Sequence, residues 1–208
     1  MILDLQSTMN ELGFTPKGII HIGAHHGQEA EFYHSLGVKD VIFFEPMKES
    51  YNICKSRVEP LGYFCRNTAL GSTNGTVEMY TENSNQGQSS SVLKPKLHSL
   101  FYPGILFNGR EEVPMTTLDE AMESETGEFD MINIDVQGYE LEVLKGANKT
   151  LEGVNLVYSE VNDGELYEGC TLVGDLDKHL GDLGFNRHTT VWTPAKWGDA
   201  VYFRESTK

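Results

Sequence analysis

Apolar and polar positions alternate between two periods along the chain. Leu5, Met9 and Leu12 repeat at helical spacing, so residues 3–12 are predicted as a helix that Gly13 closes and Pro16 keeps from resuming. Residues 18–23 (GIIHIG) form a short continuous apolar run between glycines, the mark of a strand buried on both faces. Residues 27–36 read as a helix, 41–44 (VIFF) as a second buried strand stopped by Glu45-Pro46, 48–58 as a helix and 63–70 as a third strand. Parallel strands need a crossover, and a helix is the usual one. The first 70 residues therefore predict half of a Rossmann-like sheet with right-handed connections. Residues 76–81 alternate and are a candidate edge strand. Residues 82–109 break the pattern. Asn83, Asn85, Gly87, the run Ser89–Ser91, two prolines and several aromatics predict a long irregular loop, extending to about residue 110. Such segments commonly serve as lids or binding loops. Regularity resumes with a short helix at 117–122, capped by Thr116 or Thr117 with Glu120 in capping-box register. A strand at 130–135, a helix at 140–151, a strand at 155–161 and a helix at 172–183 follow. Two last strands, 185–192 and 199–204, flank the turn 193–198. About seven strands without a repeat or linker predict one domain over residues 1–208, its N-terminal helix lying within 1–17.

Composition narrows the possibilities. A chain of 208 residues suits one domain, and 39% apolar with 10% aromatic residues is too much for disorder. Sixteen Lys+Arg against 31 Asp+Glu leave a net charge of −15 and no basic run. Nucleic acid and anionic membrane surfaces are not expected partners. No stretch approaches 18 apolar residues, and the acid at position 4 does not suit a signal peptide. Cys54, Cys65 and Cys170 are far apart with no C-x-x-C pair, which predicts no disulfide framework and a reducing, cytoplasmic setting.

Ligands of open parallel sheets sit beyond the carboxyl ends of the strands, where strand order reverses. The first strand ends in Gly23-Ala24-His25-His26-Gly27 ahead of a helix, a loop that suits a carboxylate or phosphate. It is not G-x-G-x-x-G, and a tight turn with a helix cap is the plainer reading. Glu45 ends the second strand, 22 residues after Gly23, where an acid accepts hydrogen bonds from both hydroxyls of a ribose. A solvated acid before a proline is its plainer reading. Asp135 ends the fourth strand and can bind an ammonium group or accept a proton. Glu140 falls in a first helical turn, where the macrodipole favours an anion, and reads as structural. Glu160 offers another strand-end carboxylate. His21, His25 and His26 beside Glu45 imitate a metal set, but H-E-x-x-H and cysteine support are missing and adjacent histidines do not easily aim at one ion. No metal is expected. One of His25 or His26 can face the cleft as a general base. The serines at 89–91 lack a G-x-S-x-G elbow, so nucleophilic hydrolysis is not expected.

Taken in order, HIGAHHG, FFEP, TALG, TTLDEA, MINIDVQGYELEVLKGA and VYSEV resemble the FkbM-type methyltransferases, class I enzymes that use S-adenosylmethionine and mostly methylate hydroxyl oxygens. The resemblance runs from about Gly18 to Arg204, and IDVQGYELEVLKGA is its most specific part. It implies an α/β, Rossmann-like class I methyltransferase fold: a seven-stranded, mostly parallel sheet with one antiparallel strand and helices on both faces. It implies that Gly23, Ala24, His25 and Gly27 wrap the methionine part of the cofactor. Glu45, followed by Pro46, then holds the ribose, Ala69 and Leu70 flank the adenine, Asp135 with Val136 lies beside the sulfonium, and the 82–110 loop containing Ser89–Ser91 lies over the pocket. One departure matters: the family often carries an acid two positions before the first glycine, and this chain has His21, which leaves Asp135 to serve the cofactor's ammonium. Methyl transfer is an in-line displacement, so alignment comes first. An alcohol acceptor also needs its proton taken, by Asp135, Glu160 or His25. The expected function is O-methylation of a sugar, glycan or other small polar hydroxyl compound. A non-catalytic Rossmann-like assembly domain is the alternative that His21 supports. A nicotinamide-dependent oxidoreductase is a second, against which the missing glycine fingerprint speaks.

Overall fold

The apolar runs pair side by side. In the computed structural model, which describes residues 2–205, β1 (Gly18–Ile22) lies between β2 (Asp40–Phe44) and β7 (Met131–Ile134), parallel to both. Met1 and residues 206–208, counted in the expected domain, lie outside the described residues. β3 (Phe64–Arg66) continues the sheet beyond β2, and β8 (Leu156–Asn162) continues it beyond β7, both in parallel. β10 (Trp197–Phe203) then runs antiparallel between β8 and β9 (Asn186–Trp192). The order is β3-β2-β1-β7-β8-β10-β9. Strand order therefore reverses between β1 and β7, which places the crevice there.

Alternation along the strands sends side chains to both faces. Ile20, Ile22, Ile42, Phe44, Ile132 and Ile134 join one core with α5 (Leu118–Met122), α6 (Glu140–Lys145), α7 (Asn148–Gly153) and α8 (Val173–Asp182). Ile19, Val41, Phe43 and Met131 join the other with α1 (Leu5–Leu12), α2 (Ala30–Ser35) and α3 (Lys48–Val58). Each such aliphatic or aromatic side chain contributes roughly 1.5–3 kcal/mol by leaving water. The central strands are thus packed on both faces, and the loops at their carboxyl ends are anchored to that core.

Several boundaries differ from the sequence reading. Residues 63–70 are two strands: Asn67 donates to the carbonyls of Glu45 (3.0 Å) and Pro46 (2.7 Å), which turns the chain out of the main sheet after β3. β4 (Ala69–Leu70) then enters a second sheet of order β4-β6-β5. Residues 76–81 belong there as β5 (Gly75–Thr81), not to an edge of the main sheet. Its partner β6 (Gly109–Thr116) was hidden by Arg110-Glu111-Glu112 and Pro114, which leave Val113 as its one buried residue. The helix expected at 140–151 is two helices. Gly146 lies between them, where a Cβ would stand 2.1 Å from the Gly71 carbonyl oxygen. α7 is then capped from outside, because Asp119 accepts from the backbone N–H groups of Lys149 (3.0 Å) and Thr150 (2.8 Å). Thr117, rather than Thr116, caps α5 and accepts from Glu120 N (3.2 Å). The segment 82–108 is a strap with local order, containing α4 (His98–Phe101) and bridges that pair Tyr80 with Ser91 and Pro95 with Tyr167.

Candidate active site

Beyond Ile22 and Ile134 the chain leaves β1 and β7 through two loops that meet at Gly23. Its φ is 79°, and a Cβ there would fall 1.8 Å from the Asp135 carbonyl oxygen, so only glycine fits. Two non-glycine residues of these loops, His25 (φ 47°) and Gln137 (φ 55°), also adopt the left-handed conformation. Such backbone costs of order 1–3 kcal/mol per residue and concentrates at functional sites. The turn at His25 aims its N–H at Glu45, whose Oε2 accepts it at 2.8 Å while Oε1 accepts Met47 N at 2.8 Å.

The crevice has two adjoining chambers that share Gly23, His25, Gln88, Asp135 and Gln137 in their walls. The smaller, about 70 Å³, is walled mainly by apolar groups and lined by Glu45, Pro46, Ala69, Leu70, Val136 and Tyr139. The larger, about 470 Å³, is lined by Gly23, Ala24, Glu29, Asp135, Glu160 and Asp199 near the strand ends, and by strap residues farther out. The residues named from sequence thus come together, with one exception. Gly27 lines neither chamber; a Cβ there would meet Cys54 Sγ at 3.0 Å, so this glycine lets the loop pack on α3. A wider groove of about 1050 Å³ lies at the opposite, amino ends of the strands, but its groups are satisfied locally. Lys17 pairs with Glu128 at 2.8 Å there, and Asp130 accepts Lys17 N at 2.9 Å.

The chambers carry an excess of negative charge. No lysine or arginine lines either one among the described residues. Gln137 bridges the two strand-end acids, donating to Asp135 Oδ1 (2.7 Å) and Glu160 Oε2 (3.0 Å). Burial pushes Asp135 up to about 6, with the charge of Asp199 adding to it. Glu160 is held well above the usual carboxylate range by burial and then by Asp135, Glu140 and Asp199. Burial also pushes Glu45 up to about 7 against its two backbone hydrogen bonds. Carboxyls in this state lack a cation, and a positively charged ligand would restore their ionised form. Glu140 behaves as the sequence implied. Its Oε1 accepts Val136 N (3.2 Å) and Gly138 N (2.9 Å), which braces the turn after β7.

The histidines separate. His21 is buried and accepts at Nδ1 from Tyr33 OH (3.0 Å), which in turn accepts from Asn133 Nδ2 (2.6 Å). Burial lowers its pKa, so it stands as a neutral member of that chain rather than as a cation in the crevice. Glu29, on the approach to α2, supplies the same chamber with a carboxylate that position 21 does not. Both ring nitrogens of His25 are engaged, Nδ1 with Gln28 Nε2 (2.9 Å) and Nε2 with Gln86 O (2.7 Å). That leaves His25 no free lone pair for taking a proton. Sequence reasoning anticipated the strap through Ser89–Ser91 but passed over Gln137 and Tyr167, which hold it. Tyr167 OH shares its proton between Ser89 O (2.9 Å) and Gln137 Oε1 (2.8 Å), and Ser91 Oγ donates to Gln137 O (2.8 Å). Gln137 stood inside the most specific motif; Tyr167 carried no sequence signal.

Residues 21–187 match the family described as the Methyltransferase FkbM domain. The chain belongs to this family. A relative of it, the 2-O-methyltransferase NoeI of Sinorhizobium fredii, is 31% identical over 159 residues. That match covers 73% of this chain and 65% of NoeI, just under two thirds of the relative's length. Solved class I methyltransferases share the fold. M. capricolum TrmK, crystallised with S-adenosylhomocysteine, has a TM-score of 0.55 at 11% identity, covering 98% of this chain and 69% of its own. The magnesium protoporphyrin IX methyltransferase of Synechocystis PCC 6803, with S-adenosylmethionine bound, has a TM-score of 0.55 at 11% identity over 96% and 76%. As an FkbM-family chain, the protein therefore places Glu45 and Asp135 at the strand ends of a class I methyltransferase sheet, beside the reversal of strand order.

Proposed function

We propose that this FkbM-family chain is an S-adenosylmethionine-dependent methyltransferase acting on a hydroxyl of a sugar, glycan or comparable polar compound. The observation that carries this reading is the adjoining pair of chambers, one apolar with a buried acid at its edge, the other acidic and without a lysine or arginine among the described residues. The residues fit the cofactor. The glycine cradle at Gly23 lets a ligand approach backbone that any side chain would block. Glu45 lines the smaller chamber and can accept from two ribose hydroxyls, and Ala69, Leu70 and Val136 offer the base an apolar wall. Asp135 and Glu29 face the end where an ammonium and a sulfonium gain most from carboxylates. Bound S-adenosylmethionine supplies an electrophilic methyl group. The chain aligns the acceptor oxygen with it and excludes water beneath the strap. Carboxylates beside the sulfonium stabilise the ground state and by themselves do not raise the rate.

The acceptor side supports a polar, uncharged substrate. Asn85, Gln88 and Gln137 present amides, and Tyr102 and Trp197 present aromatic faces. The relative named for methylating an oxygen agrees with this chemistry. The net charge of −15 disfavours phosphate-rich acceptors. The deciding experiment combines titration calorimetry of S-adenosylhomocysteine with a mass scan of methylated products, labelled cofactor being offered to a panel of methyl glycosides and small alcohols. Saturable binding together with a product heavier by one labelled methyl group in place of a hydrogen supports the reading. No saturable heat overturns it.

A further inference from the structure

The larger chamber extends beyond the strand-end acids to a wall beneath the strap. His98, Tyr102, Ile105, Leu166 and Trp197 form this wall. Trp197 Nε1 donates to Tyr102 OH at 2.8 Å, which ties the β10 end to the strap. His98 opens α4 and is only 4% exposed. Its ring packs against Tyr102, Phe107 and Tyr167, with centroids 5.0, 5.2 and 5.4 Å away. Nδ1 is enclosed within this aromatic packing and has no hydrogen-bond partner among the described residues. Among the described residues Nε2 has no hydrogen-bond partner, and it is not enclosed, which leaves it as the nitrogen available to the chamber that His98 lines.

The other proton acceptors of the chamber already take hydrogen bonds from the chain, or stand at its far end. Asp135 and Glu160 share the Gln137 amide, His25 is bonded at both nitrogens, and Asp199 accepts from Tyr158 OH and the backbone of Leu3. His21 is bonded to Tyr33. Glu29 stands by the glycine loop, at the cofactor's end.

We propose that His98 is the general base, its Nε2 taking the proton of an acceptor hydroxyl whose sugar ring lies against the His98–Tyr102–Trp197 wall. This rests on the methyltransferase reading above. As the acceptor oxygen bonds the methyl carbon, its O–H bond breaks and the proton moves to Nε2. The electron pair of the carbon–sulfur bond stays on the sulfur. The products are a methyl ether, S-adenosylhomocysteine and a protonated imidazole that returns its proton to water. Aromatic faces around the ring and the charge of Glu82 favour that transient cation. Between turnovers burial keeps His98 neutral. An N–H at the enclosed Nδ1 can point at an aromatic face, which leaves the lone pair on Nε2.

The test uses ¹⁵N-histidine-labelled protein saturated with S-adenosylhomocysteine at neutral pH, read by two-bond ¹H–¹⁵N correlation. His98 is expected as the Nδ1–H tautomer, with an unprotonated Nε2 that shifts when a methylated glycoside of the panel is added. His98→Gln is expected to keep its affinity for S-adenosylhomocysteine and its KM within about threefold while kcat falls about 100-fold or more, the lower end for general-base catalysis. An Nε2 that carries the proton, or a His98→Gln variant with kcat within tenfold of wild type (~10), overturns the assignment. Where that variant does not fold, the tautomer of the wild type decides alone. Wild type that fails to bind S-adenosylhomocysteine overturns the methyltransferase reading and this one together. Binding and turnover with an unimpaired His98→Gln overturn the role of His98 only.

Discussion

At the scale of the residue, Glu45 and Asp135 are where an ordinary side chain becomes a specific one. Glu45 already accepts two backbone N–H groups, yet each carboxylate oxygen keeps a second lone pair for a ribose hydroxyl. Glu45→Ala is expected to weaken S-adenosylhomocysteine binding by about 1–3 kcal/mol, the worth of one or two hydrogen bonds to a charged acceptor. Calorimetry checks this, and an unchanged Kd would remove Glu45 from the site. Asp135→Asn should preserve the fold and depress turnover strongly; full activity would show that no carboxylate is needed there. These two acids were legible because the apolar runs VIFF and MINI end immediately before them, and a strand end locates its residue without further knowledge. Gln137, His98 and Trp197 were not. They lie far apart in the chain and meet only because β7, the strap and β10 converge on one chamber. His25 shows the reverse error. Its loop was placed correctly, but the turn that gives it φ 47° also spends both ring nitrogens on Gln28 and Gln86.

At the scale of the element, the parallel strands were readable and the second sheet was not. A strand buried on both faces announces itself by a continuous apolar run, whereas β6 hides behind charges and a proline and gains its stability from pairing with β5. The split of α6 from α7 was likewise invisible, since it depends on Gly146 passing over Gly71, a contact between segments 75 residues apart. Gly146→Ala should therefore cost about 1–3 kcal/mol through overpacking, seen as a lower denaturation midpoint with an unchanged slope. Backbone bonds tie the strap down at Ser91, Lys94, Lys96, Leu97 and His98, while its 85–91 turn is linked through Tyr167 OH, the pivot between Ser89 and Gln137. Tyr167→Phe removes that link at a cost of about 0.5–1.5 kcal/mol. Faster amide exchange confined to residues 85–91, with S-adenosylhomocysteine restoring less protection than in wild type, is the expected readout. Exchange unchanged in that segment would mean that the apolar packing of Leu93, Phe107 and Tyr167 holds the strap by itself.

At the scale of the whole molecule, the carboxyls of the crevice couple folding, binding and pH. Glu45 and Glu140 are pushed up to about 7 and Asp135 to about 6, each chiefly by burial. Between the ordinary carboxylate range and those values the folded chain binds more protons than the unfolded one. Its stability must then fall as pH rises through that window. Self-repulsion at a net charge of −15 acts in the same direction. A cationic ligand reverses the preference, because it favours the ionised carboxyls and drives their protons into solution. The protein without ligand should lose Tm from pH 6 to pH 8, the interval that brackets the value of about 7 for Glu45 and Glu140. S-adenosylmethionine should bind more tightly over the same interval and release protons that make the binding heat depend on the ionisation enthalpy of the buffer. S-adenosylhomocysteine lacks the sulfonium charge and should show the smaller pH dependence of the two. If affinity for both compounds were flat with pH while the Tm still fell, the raised carboxyls would belong to folding alone. The acidic chamber would then not be the seat of the sulfonium.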